Sequence, residues 1–154
     1  MNLNRRLMFR FAAIGGALAV LVRGAGAGEA KRKQHKIVLH VGANEQDSMK
    51  TALGNAKNAY ELCKKLGEEI TIEIVANSGG LTMFREDTSP VKQQIAELLK
   101  VDSNVVLSGC NNTKMTMEKR EGKQITIIPE ARLVPAGVLR IAELEDQGYA
   151  YVRA

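Results

Sequence analysis

Short apolar runs and longer stretches of helical periodicity follow one another along this chain. KIVLHV, residues 36–41, is a compact apolar run with β-branched members and predicts a first strand. The polar GANEQDS follows it as a loop. From Ser48 onward, Met49, Leu53, Ala56, Tyr60, Cys63 and Leu66 recur at helical spacing, with Ser48 as the expected N-cap and Gly67 as the expected C-cap. ITIEIVA, 70–76, reads as a second strand, and NSGGLTMF after it as a glycine-containing loop with room for a helical turn. Ser89-Pro90 predicts the start of another helix, with Ser as cap, Pro at the first helical position, and an apolar face of Val91, Ile95, Leu98 and Leu99. NVVLSG, 104–109, is a third strand, and NNTKMTMEKR a short helix or turn. Within QITIIPEARLV, 124–134, Pro129 confines any strand to the part approaching VPAG. Gly137 to Gln147 predicts a third long helix, with Leu139, Ile141 and Leu144 inward and Gly148 as its stop. YAYVR closes the chain as a last strand.

Strand and helix alternate throughout, which argues for a parallel sheet covered on both faces by helices. The expected class is therefore α/β, a three-layer α/β/α sandwich with right-handed crossovers. No internal repeat and no low-complexity segment interrupts it after the N-terminal region.

The N-terminal region follows a different pattern. MNLNRRLMFR is a basic stretch, FAAIGGALAVLV (11–22) is apolar but short for a bilayer span, and Ala25 to Ala27 offer a small-x-small cleavage site. This predicts a signal peptide over 1–27, a linker over 28–35 and one domain over 36–154. Two adjacent arginines before a bulky apolar residue resemble a twin-arginine leader, while a general secretory route also suits a basic start. Either places the mature protein outside the cytoplasm, in a bacterial periplasm, with no stable membrane insertion after cleavage.

At 154 residues the chain is long enough for one real core, and with 45% hydrophobic residues, 4% aromatics and no Trp that core has to be aliphatic. The net charge of +5 is unevenly placed: residues 31–154 hold 18 basic and 16 acidic groups. Short clusters such as Lys31 to Lys33 lack aromatic neighbours, so a nucleic-acid partner is not expected.

VVLSGCNNT, 105–113, carries the candidate chemistry. Cys110 follows the third strand at its carboxyl end, where open α/β sheets bind ligands. Asn111, Asn112 and Thr113 are capping types, which puts Cys110 near a helix N-terminus, where free N–H groups and the helix dipole favour a thiolate. The same donors suit a persulfide or a small anion, and Lys114 adds positive charge. The competing reading is a buried cysteine that serves as a small apolar residue.

VVLSGCNNT also resembles the strand-Cys-x-Asn-Thr segment of DsrE/DsrF-like proteins. VPAGVLRIAELEDQGYAYVRA, 134–154, is similar to that family's C-terminal signature, and KIVLHVG with LGNAKNAYELCKKLG is similar to its first strand and helix. The stretch EKREGKQITIIPE, 118–130, departs from the family's connecting loop. The resemblance implies a five-stranded, mainly parallel sheet and a trimeric or hexameric homo-oligomer. It also implies sulfur carried as a persulfide on Cys110, handed between donor and acceptor proteins, by a carrier more than a turnover enzyme.

Cys63 sits on the apolar stripe of the first helix and is expected in the core. It is 15 residues along a helix that starts near the Cys110 edge, roughly 20 Å away, so no intrachain disulfide is expected. His40, Asn77 and Gly79 fall at the same sheet edge as Cys110 and are candidate pocket residues with Asn112 and Thr113. His35 is expected in the exposed linker. No C-x-x-C, H-x-x-x-H or G-x-G-x-x-G spacing occurs, so neither a metal set nor a cofactor is expected. Tyr149 and Tyr151 suit packing or a subunit contact, and Met115 and Met117 an apolar lid or contact. Two other functions stay open. One is a binding or assembly module in which Cys110 only packs. The other is a cysteine-dependent reductase or hydrolase with His40 as its base.

Overall fold

The computed structural model describes residues 32–154, and the expected leader lies outside them. Five strands form one sheet in the order β4-β3-β2-β1-β5, with every pair parallel. They are β1 (Gln34–Val41), β2 (Glu69–Ala76), β3 (Val106–Cys110), β4 (Ala131–Val134) and β5 (Ala150–Arg153). The helices are α1 (Gln46–Leu66), α2 (Lys92–Val101), α3 (Asn111–Glu121) and α4 (Gly137–Asp146), with a 3-10 helix over Ser78–Phe84. The α/β class expected from the alternation is the one found, and the sheet is parallel throughout.

Strand alternation sorts the side chains into two unequal cores. Leu39, Val41, Ile72, Ile74 and Leu107 face the larger one, with Met49 and Leu53 of α1, Ile95 and Leu98 of α2, Met117 of α3 and Phe84 of the 3-10 helix. Burying each such side chain stabilises the fold by about 1.5–3 kcal/mol. Val38 and Val75 face the other way, where Ile141 and Leu144 of α4 make a small core with Tyr149 beside it.

That second face also buries charge. Glu73 is 2% exposed. It accepts from Arg140 at 2.8 and 2.7 Å, from Ser108 Oγ at 2.6 Å and from Arg132 at 3.1 Å. One carboxylate thereby ties β2, β3, β4 and α4 together. Burial pushes the Glu73 carboxyl up, but the hydrogen bonds from Arg140, Ser108 and Arg132 outweigh it and hold the group below its ordinary value.

A similar pairing fixes residues 118–130. Arg85, almost fully buried, clamps Glu121 at 2.7 and 2.9 Å and Asp87 at 2.9 and 2.8 Å. An isolated antiparallel bridge between Arg85 and Ile127, with Ile125 and Ile128 buried, packs this stretch against the 3-10 helix.

Several expected details differ. Helix α1 begins two residues before Ser48, with Glu45 in the extended N-cap conformation and no side-chain cap bond. Helix α2 begins at Lys92, after Pro90; the Ser89 hydroxyl accepts the Val91 N–H at 3.3 Å, so it shapes the turn before the helix. The stripe of α1 ends early, because Leu66 is exposed, and Leu139 of α4 faces outward. Strand β1 starts at Gln34, and His35 is a half-buried strand residue whose ring meets Glu68 at 2.7 Å. An early helical start costs little where side-chain caps are replaced by solvent, and His35 is drawn in by pairing with β2. Among the described residues no helix is long and apolar enough to cross a membrane.

Candidate functional site

Cys110 ends β3 and is the N-cap residue of α3, with extended backbone at φ −73° and ψ 114°. It lies on the α4 side of the sheet, as its even register with Ser108 requires. The start of α4 presses against it: a Cβ on Gly137 would stand 3.2 Å from Cys110 Cβ and 3.1 Å from Asn77 Cβ. Only glycine lets the first turn of α4 come this close without displacing a neighbour. The Asn112 N–H donates to the Pro135 carbonyl at 3.2 Å, joining the two helix starts. Two helix N-termini therefore converge on one sulfur.

The thiol is 6% exposed. Burial pushes it up, but the Thr113 hydroxyl and the backbone N–H groups of Gly137, Thr113 and Asn112 more than offset this, so it titrates below the ordinary thiol value. Thr113 is itself oriented. Its Oγ1 accepts the Ser78 N–H at 3.1 Å, which leaves its own hydrogen for Cys110. Ser78 reaches that geometry at φ 46°, in the left-handed region that a serine enters at a cost. The 3-10 helix after β2 thus sets the donor that steadies the thiolate.

Asn77 sits at this edge, with its Cβ against the Gly137 position. His40 stands next to Asn77. Its Nε2–H donates to Asn77 Oδ1 at 2.9 Å and its Nδ1 accepts the Tyr151 hydroxyl at 2.8 Å, so both ring nitrogens are engaged. Gly79 packs toward Asn44. Lys114 is matched by Glu118 at 2.6 Å, so its charge is not spent on Cys110. Met117 is core and Met115 is exposed. Cys63 and Cys110 are both free. They lie at opposite ends of the sheet.

A cavity of about 800 Å³ opens between the 3-10 helix and α3. Ser78, Gly79, Asn112, Thr113 and the buried Arg85 line it together with the exposed Arg120 and Lys123. Cys110 is not among its lining residues, so Thr113 stands between this cavity and the thiol.

The chain is similar to a solved structure described as a protein of unknown function from Methanobacterium thermoautotrophicum. The two share 26% identity with a TM-score of 0.63, over 78% of this chain and 99% of the other. They therefore have the same α/β fold. No protein-family model matches the chain, and no curated protein matches it.

Proposed function

We propose that this protein is a sulfur carrier of the DsrE/DsrF-like kind, holding sulfane sulfur as a persulfide on Cys110. The observation that carries the reading is the convergence of the α3 and α4 starts and the Thr113 hydroxyl on one thiol. The Cys110 thiolate attacks the terminal sulfur of a polysulfide. A Cys110 S–S bond forms as the donor's S–S bond breaks, and the shortened donor leaves as the anion. An acceptor thiolate then attacks the outer sulfur and returns Cys110 to the thiolate, so no external oxidant is consumed. The donors that hold the thiolate also face the persulfide anion. Burial of the thiol favours a small donor.

Exposure of the reduced protein to polysulfide, read by intact mass, tests this. We expect one added sulfur on the wild type and on Cys63→Ser, and none on Cys110→Ser. A wild-type mass that does not change, or an adduct that persists in Cys110→Ser, refutes the reading.

The separate cavity favours a second reading, a module that binds a small polar ligand at the 3-10 helix and α3, with Cys110 only packed. An unreactive Cys110 on a demonstrably reduced protein would favour it.

We also propose that the carrier is a homo-oligomer. Val138 and Leu139 of α4 and Leu133 of the edge strand β4 are all exposed, and a parallel sheet normally has both faces covered. Sedimentation is expected to give a trimer or hexamer; a monomer at tens of micromolar would rule this out.

A further inference from the structure

We propose that His35, Cys63 and Glu68 form a second site, at the opposite end of the sheet from Cys110, that binds Zn²⁺ with water as the fourth ligand. The ring nitrogen, the sulfur and the carboxylate oxygen all lie within 4.8 Å of one another. Thiolate, imidazole and carboxylate are the donors that zinc takes, and three protein ligands with one open position is a known arrangement for it.

The backbone builds this cluster before any ion arrives. Gly67, at φ 69°, ends α1 in the left-handed conformation. The Gly67 N–H then donates to the Lys64 carbonyl at 3.3 Å and the Glu68 N–H to the Cys63 carbonyl at 2.9 Å. This paired pattern of bonds is the Schellman stop, and it sets Glu68 beside Cys63. The Glu69 N–H donates to the Lys33 carbonyl at 2.9 Å, and the register His35↔Ile70 brings in the imidazole. A helix stop and a strand register thus assemble three ligands that share no motif spacing in the sequence.

The ligand atoms, within 4.8 Å of one another, would shift by up to about 1.2 Å to reach tetrahedral spacing. Tetrahedral bonds of about 2.0–2.3 Å put donor atoms on the order of 3.3–3.6 Å apart. His35 Nε2 and Glu68 Oε2 stand 2.7 Å apart as a hydrogen-bonded pair and would open by roughly half an ångström to admit the ion. Cys63 is 7% exposed, and His35 and Glu68 are half-buried, so the site has a packed floor and an open side. Thiolate and carboxylate together cancel the charge of a divalent cation. Binding therefore releases the thiol proton to solvent and tightens as pH rises.

The site stands or falls apart from the persulfide reading, because Cys110 takes no part in it. The test uses the reduced full chain carrying Cys110→Ser, titrated with Co²⁺ as a coloured stand-in for Zn²⁺. One equivalent is expected to give a thiolate-to-cobalt charge-transfer band and the strong visible bands of four-coordinate cobalt, both removed by Zn²⁺. Cys63→Ser should abolish the charge-transfer band. His35→Ala and Glu68→Gln touch half-buried positions, so the fold should survive, as circular dichroism would verify. Each should weaken binding at least about tenfold, the loss that even an outer-shell change causes. No charge-transfer band, a band that survives Cys63→Ser, or unchanged affinity in both other variants overturns the proposal.

Discussion

Glu73→Ala is expected to destabilise the fold by about 3–5 kcal/mol, the cost of leaving a buried partner charge uncompensated. The carboxylate is the single acceptor shared by Arg140, Arg132 and Ser108. Arg132 is half exposed and can turn to water, whereas Arg140 is mostly enclosed by β2 and α4 and has no such escape. Urea unfolding should show a lower midpoint at an unchanged slope. A loss below about 1 kcal/mol would mean that the cluster is as weak as a surface pair. The double variant Glu73→Leu with Arg140→Met should be milder than Glu73→Ala, because it removes both charges together. The pH dependence has a definite sign. The folded pKa of Glu73 lies below the unfolded one. Its contribution is therefore present above the unfolded carboxylate pKa, about 4.3, and is lost as pH falls through the folded value.

Thr113→Val is expected to slow Cys110 alkylation by roughly three- to tenfold at pH 7. Losing one hydrogen bond to a charged sulfur costs about 1.5 kcal/mol, or about tenfold in thiolate population. The more basic thiolate that remains is a better nucleophile, which returns part of the rate. The clearer readout is the rate profile against pH, whose midpoint should move up. Gly137→Ala should move it the same way, because its methyl group pushes the α4 start away from the sulfur. A profile that stays put in both variants would show that these donors do not govern the thiol.

The strands and the Cys110 edge were plain in the sequence because each rests on local signals. β-branched runs mark β1 to β3, and a glycine followed by cysteine and capping residues marks the turn into α3. The donors around Cys110 were only half visible. Thr113 is local to it, but Gly137 arrives from α4, 27 residues on, and Ser78 from beyond β2. The Glu73 cluster left one sign that sequence reading passed over: a lone acid inside ITIEIVA, a run otherwise suited to burial on both faces. Its arginine partners come from β4 and α4, so register and not spacing unites them. For the same reason a search for metal-ligand spacing could not find His35, Cys63 and Glu68. The starts of α1 and α2 differ because these helices begin without the side-chain cap bonds that Ser48 and Ser89-Pro90 suggested, whereas Gly67 caps the end of α1 as expected.

The sheet order carries a consequence for the history of each molecule. β1 lies inside the sheet between β2 and β5, and its pairing with β5 joins Ile37 to Ala150. The first of the described strands to leave the ribosome therefore waits for the last before its second edge is filled. Parallel pairings at such separation form late, because the intervening loop must close first. Throughout synthesis the nascent chain carries a row of unpaired amide and carbonyl groups along Ile37 to His40. Chaperone capture and misassembly between chains compete for that edge until Ala150 to Arg153 arrive to cover it.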